Sequence, residues 1–290
     1  EIVKNCLAPL NDSQEVEVDL CKIETEHQFP FPWTRLEFFN VFPESVYGTP
    51  FPLKRLNIDK AKNYDLVILA YTVWYLNPSI PISSFLQSEE AKRILKDKPV
   101  VTLLGSRNMW VLAQEKVKRQ LRNLEASIIG NVVLIDRNPN LVSIITIVRW
   151  MFYGKKNSFW GFPRAGIIQE DIDSSNKFGD VILERLKKGN LSDMQSELNE
   201  KRAVEINPSL LILEKRAAKL FGMYAGFLSK KGGFYDKERL GRVGLLSYVL
   251  PIGAFVLSPI TTLSTFLVTK IKKKYVEAEI AYYKQNELRD

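Results

Sequence analysis

Residues 64–70 read YDLVILA, residues 99–105 PVVTLLG and residues 127–136 SIIGNVVLID. Each is a short, nearly continuous apolar run, as strands are when both faces of a parallel sheet are covered. Between them, residues 83–95 and 109–124 place apolar side chains at helical spacing with charges on the opposite face. Strand, helix, strand, helix, strand is the order of a parallel α/β sheet with crossover helices. The expected fold class is therefore α/β, a doubly wound parallel sheet.

Upstream, residues 15–24 (EVEVDLCKIE) alternate apolar and polar, the period of a strand. Residues 1–10 (EIVKNCLAPL) read as a helix with no strand before it. Residues 25–64 are irregular and rich in aromatics and proline, including Pro30, Pro32, Pro43 and Pro50, with a short helix expected near 34–40. A connection of that length inside a compact domain is either functional or a surface excursion. Downstream, residues 166–189 read as an amphipathic helix stopped by Gly189 and Asn190. Residues 207–229 read as another, opened by Asn207 and Pro208. A polar helix is expected over 275–289. The chain divides into a sheet domain, 1–140, carrying the insert 25–64, and a helical extension, 141–290.

Of the 290 residues, 46% are hydrophobic, enough to build a core and to exclude general disorder. Two cysteines, Cys6 and Cys21, with no CxxC, argue against a zinc site or a disulfide scaffold and fit a reducing cytoplasm. The one histidine, His27, excludes a multi-histidine centre, and no metal is expected. The net charge of +8 is unevenly spread. Residues 1–184 hold 22 basic and 22 acidic side chains, whereas 185–290 hold 19 and 11, so the whole excess lies in the extension. Such a tail is either a solvated helix surface or the partner of something acidic. Nucleic acid is not expected, because basic and aromatic residues do not interleave.

Open parallel sheets bind ligands beyond the C-terminal ends of their strands. Two loops there are unusual, AYTVWYLNPSIP at 70–81 and GSRNMW at 105–110. A planar, electron-poor ring needs an apolar wall and close backbone donors. Trp74 and Tyr75 offer the wall, Gly105 and Ser106 the close approach, and Asn108 a hydrogen-bonding amide. Arg107 offers a positive charge for a reduced ring or a carboxylate. The competing reading makes Trp74 and Tyr75 core residues and GSRN a helix cap. His27 is the one side chain that titrates near neutral pH, and Tyr47 and Tyr71 are further candidates.

Taken together, the two loops resemble those of the flavodoxin-like family, especially its quinone-reductase branch. Tyr71, Thr72, Val73, Trp74 and Tyr75 stand in the first loop; Gly105, Ser106, Arg107, Asn108, Met109 and Trp110 stand in the second. The resemblance covers roughly residues 1–140 and implies bound FMN. The family's first strand and phosphate loop have no counterpart in the sequence, and the expectation is that they lie outside the chain shown. A broader resemblance runs through FPFPW (29–33), VFPES (41–45), VWYLNPSIPI (73–82), SRNMW (106–110), AQEKV (113–117) and NLVSIITIVRWM (140–151) into the apolar C-terminal segment. These look like the bacterial dialkylresorcinol-condensing, or aromatase, family. That resemblance implies an oxidoreductase in dialkylresorcinol or flexirubin-type biosynthesis. Its implied reaction is the oxidation of a lipid-like alkyl cyclohexane-1,3-dione, made by a partner ketosynthase, to a resorcinol. A ketosynthase or acyl carrier protein is an expected partner. A homodimer is expected from fold analogy.

Residues 243–269, VGLLSYVLPIGAFVLSPITTLSTFLVT, carry no charge over 27 positions and are flanked by Arg239, Arg242, Lys270, Lys272, Lys273 and Lys274. Three readings stand: a membrane anchor, a helical lid for an alkyl chain or a dimer partner, and a buried core helix. The first predicts a cytoplasmic protein held peripherally, or anchored, at the anionic inner membrane surface through 243–274.

Overall fold

The computed structural model describes residues 1–59 and 62–289; the side chains of residues 254 and 257–262 also lie outside the description. It is a mixed α/β fold around a four-stranded, mostly parallel sheet. Two short helices, α1 (Ile2–Cys6) and α2 (Ala8–Asp12), open the chain, as its first ten residues suggest. The insert forms α3 (Arg35–Asn40), whose Thr34 side chain accepts from Glu37 N, and α4 (Phe42–Tyr47), closed by Gly48 at φ +67°.

The expected strand at 15–24 does not form. Val16 and Val18, then Cys21 and Ile23, pack on the main core, but the phase slips between them and leaves Leu20 68% exposed. A ladder, however, needs a second backbone alongside. Among the described residues the backbone pairing is confined to its C-terminal end, where Lys54 N donates to Glu24 O at 2.9 Å beside a single bridge between Thr25 and Leu53, so no ladder forms.

The three apolar runs do form strands: β1 (Val67–Trp74), β3 (Pro99–Ser106) and β4 (Ser127–Ile135). Strand β1 runs four residues past the expected end, so Tyr71–Trp74, expected in a loop, are sheet. It then reverses through Tyr75 and Leu76, both left-handed at φ 48° and 64°, into the two-residue β2 (Asn77–Pro78). Positive φ at both central positions matches the right-handed twist of a two-residue hairpin. Held by two large side chains, it stores strain of order 1 kcal/mol or more per residue. The sheet order is β2-β1-β3-β4, with β1, β3 and β4 parallel.

The expected helix over 83–95 is broken in two, α5 (Ile80–Phe85) and α6 (Glu89–Leu95), because Ser88 turns its hydroxyl to the Ala91 amide and caps a new start. Helix α7 (Val111–Asn123) links β3 to β4. Helix α8 (Asn140–Tyr153) follows β4 and was not foreseen. The 166–189 helix is likewise split, into α9 (Gln169–Asp173) and α10 (Asn176–Lys187), with Gly189 as its stop at φ +62°. Then come α11 (Met194–Glu200), α12 (Pro208–Ser229), whose Asn207 side chain caps the Ser209 and Leu210 amides, α13 (Leu240–Ile271) and α14 (Lys273–Tyr283).

One face of the sheet carries α1 and α11. A Cβ on Gly105 would lie 2.9 Å from Ile2 Cδ1, and one on Gly130 2.9 Å from Leu198 Cδ1. Under the other face, toward α7, runs a buried hydrogen-bond chain. The Tyr71 hydroxyl donates to Gln114 Oε1 (2.5 Å), Gln114 Nε2 to Thr102 Oγ1 (2.9 Å), and Thr102 Oγ1 to Asn131 Oδ1 (2.9 Å). The extension shares this core, since Ile182, Met194, Leu198, Leu211 and Tyr283 pack in one cluster with β3 and β4. A second cluster joins Phe39 and Phe42 of the insert to Ala225, Leu228, Val243 and Leu246 of α12 and α13.

Among the described residues no helix is long and apolar enough to cross a membrane. The expectation for 243–269 falls partly on residues 254 and 257–262, outside the described side chains. Around them, Leu245, Tyr248, Val249, Ile252, Phe255, Val256, Leu263 and Phe266 are exposed.

Candidate functional site

The register Thr72↔Gly105 sets the ends of β1 and β3 side by side, so the two segments singled out in the sequence meet as paired strand ends, with Gly105 and Ser106 inside β3 and not in a loop. Thr72 is exposed there and Gly105 and Ser106 are half-buried. Past β3 the chain is tied to the end of β4. Asp136 N donates to Arg107 O at 2.8 Å and to Ser106 O at 3.2 Å. The Asp136 carboxylate, 1% exposed, accepts Asn138 N (3.0 Å), Asn138 Nδ2 (2.7 Å) and Ser143 Oγ (2.6 Å). Arg107 Nη1 donates to Asn140 Oδ1 at 2.9 Å, and Asn108 Nδ2 to the same oxygen at 3.1 Å. Burial pushes the Arg107 guanidinium down to about 10, partly opposed by the Asp136 charge. Asn108 is 6% exposed, and its Oδ1 has no hydrogen-bond partner. A buried amide oxygen left unpaired is costly and marks a place where a donor would be welcome.

Trp74 and Tyr75 sit differently from the flavin wall expected of them. Trp74 packs edge-on against Phe29 (5.2 Å) and Trp33 (5.5 Å) of the insert. The Tyr75 ring lies among Phe38, Phe42 and Phe221, and its hydroxyl donates to Phe38 O at 2.6 Å. Burial holds the Tyr75 phenol well above its usual range, as it does that of Tyr71. Both Trp74 and Tyr75 thus anchor the insert to the sheet. Val73 is half-buried in the main cluster, and Tyr47 is exposed.

His27 is not among the groups at the strand ends. It lies in an aromatic nest with Phe29 (5.0 Å), Phe234 (4.9 Å), Phe51 (6.0 Å) and Tyr235 (6.1 Å). The nest walls a cavity of about 310 Å³. Beneath it, fully buried Arg239 pairs with Glu44 through Nη1 (2.7 Å) and Nη2 (2.9 Å) and donates Nε–H to Asn40 Oδ1 (2.7 Å). That knot binds the root of α13 to α3 and α4.

Sequence reading missed Asp136, Asn140 and Glu214. Asp136 carried a visible signal, a carboxylate directly after the β4 run. Asn140 and Glu214 carried none. Glu214, on α12, accepts Val111 N (3.3 Å) and Leu112 N (2.8 Å) at the start of α7, far away in sequence. Cys6 is free and buried, which pushes its thiol up to about 12, and Cys21 is also free. Among the described residues no cluster of His, Cys, Asp or Glu could hold a metal ion. No protein-family model, curated protein or solved structure matches this chain.

Proposed function

We propose that the chain is a flavodoxin-like, FMN-dependent oxidoreductase that aromatises an alkyl cyclohexane-1,3-dione to a resorcinol. The observation that carries this reading is the unpaired Asn108 Oδ1 just past the end of β3, where the pairing of Thr72 with Gly105 sets the ends of β1 and β3 side by side. Asn108 would be the polar contact for the edge of a flavin ring. No residue is assigned to its phosphate. When bound, FMN supplies the two-electron acceptor: the dione loses one hydrogen as hydride and one as a proton, and tautomerises to the resorcinol. A proton between two carbonyls is already acidic, so water suffices as the base. The chain's part is to orient the ring and exclude competitors. Arg107 adds a fixed positive charge that favours the enolate of the dione.

The exposed apolar side chains of α13, and the basic excess confined to 185–290, support peripheral attachment to an anionic membrane surface, where a lipid-like dione concentrates. One rival reading has a specific observation in its favour. Ile2 lies over Gly105, which suits a flavin-free subunit that binds a ketosynthase or carrier protein through the basic extension.

The test is an absorbance spectrum of the purified protein between about 350 and 500 nm, before and after anaerobic addition of an alkyl-1,3-cyclohexanedione. Flavin bands that bleach as a resorcinol appears support the aromatase. Bleaching by NADPH instead makes the chain a quinone reductase. The absence of bands even with excess FMN leaves the flavin-free subunit.

A further inference from the structure

We infer that the cavity beside His27 is a hydrocarbon pocket that takes one alkyl arm of the substrate. The inference takes its substrate class from the proposed function; the pocket itself is argued from its walls.

The cavity measures about 310 Å³ and is walled by Phe29, Trp33 and Phe234, with Leu240 at its edge. Its volume suits a short alkyl chain. Several polar side chains also line it, but most are already engaged. Asn40 donates Nδ2–H to Phe234 O (3.0 Å) and its Oδ1 accepts from Arg239. The Glu37 carboxylate accepts the Thr34 hydroxyl (2.5 Å). Asp236 Oδ2 accepts Gly233 N (2.6 Å). The Glu37, Tyr235, Asp236 and Lys237 side chains are exposed and keep their remaining polar atoms in water, and apart from the His27 ring the rest of the lining is apolar surface. Burying hydrocarbon there is favourable at roughly 0.8 kcal/mol per CH₂.

Two further features orient the pocket. Its inner wall backs onto the strand-end site, because Phe29 and Trp33 both pack edge-on against Trp74. A ring held at the strand ends would have this aromatic layer beside it. Its lining reaches the first turn of α13, whose other exposed apolar residues lie further round the helix. Leu240 is the first residue of α13, and Leu245, Tyr248, Val249 and Ile252 follow it, all exposed. Arg35, from the insert, lies 3.8 Å over the Tyr248 ring, an arrangement that leaves cationic groups beside an apolar strip.

The test is a tryptophan-fluorescence titration of the full chain with 5-methylresorcinol and 5-pentylresorcinol. The four extra methylenes are expected to tighten binding by about tenfold or more, which at ~0.8 kcal/mol per CH₂ requires only part of the chain to be buried. Leu240→Asp, at the exposed edge, and Phe234→Ser, in the wall, should each bring the pentyl compound to the level of the methyl compound. Equal affinity of the two compounds for the unmodified protein would overturn the inference. So would a chain-length preference that survives both substitutions, or one abolished by Ile252→Asp on the helix face. The outcome is independent of colour. A protein without flavin that still prefers the pentyl compound keeps the pocket and loses the chemistry. A flavoprotein that oxidises the dione but ignores chain length keeps the chemistry and loses the pocket.

Discussion

Glu214→Gln is expected to flatten the pH dependence of stability between pH 5 and 8. The Glu214 side chain is 1% exposed and reaches from α12 to the amides that open α7. Burial pushes its carboxyl from 4.5 up to about 7; the amides of Trp110, Val111 and Leu112 and the Lys215 charge oppose the shift but are smaller. The folded state therefore holds this proton more tightly than the unfolded state. Its contribution is fully present below about pH 4.5 and is lost as the pH rises through about 7. With those two values, the folded state loses roughly 2.5 kcal/mol from this group between pH 5 and 8. In a chain of this size that corresponds to a fall in Tm of roughly 4 °C. Glutamine keeps an acceptor for the α7 amides but cannot titrate. Its cost, whatever its size, is the same at every pH. Thermal unfolding of both proteins at half-unit steps from pH 5 to 8 measures the difference directly. Wild type should be the more pH-sensitive, and the two curves should converge or cross toward pH 8. Parallel curves would refute the reasoning, because they would mean that Glu214 is ionised throughout and that its hydrogen bonds outweigh its burial.

Two other substitutions test the packing that holds the site. Glu44→Ala leaves Arg239 buried without its carboxylate and should cost about 3–5 kcal/mol in denaturant unfolding, with Glu44→Ala/Arg239→Met recovering much of the loss; a cost under about 1 kcal/mol would show that water reaches the pair. Gly179→Ala places a methyl 2.0 Å from Cys6 O, a backbone atom that has no freedom to swing aside. It should therefore lower stability by about 1–3 kcal/mol and loosen the amides of α1 and α2 in hydrogen exchange, and an unchanged exchange pattern would contradict the close approach of α10.

The sequence by itself determined the three parallel strands, because a strand covered on both faces leaves a run of apolar residues that no surface segment shows. It did not determine where those strands end, since Tyr71–Trp74 and Gly105–Ser106, which read as loops, extend β1 and β3. Local chemistry placed the Asn207 cap, the Gly189 stop and the short insert helix capped by Thr34. It misled where local pattern needed a distant partner. Residues 15–24 have the sequence alternation of a strand, but the backbone beside them bonds only at the Glu24 end. Residues 83–95 have helical spacing and a serine that ends one helix and begins another.

Only the tertiary structure decided what the aromatic residues do. Trp74 and Tyr75 were legible as rings at a strand end, but whether they face a ligand or the insert depends on Phe29, Trp33, Phe38 and Phe42 folding over them. The cavity beside His27 joins residues about 200 positions apart, closed by Arg239 gripping Glu44 and Asn40. Periodicity and composition record which face of an element is apolar. They carry no information on which other element covers it, and that pairing is what makes a pocket.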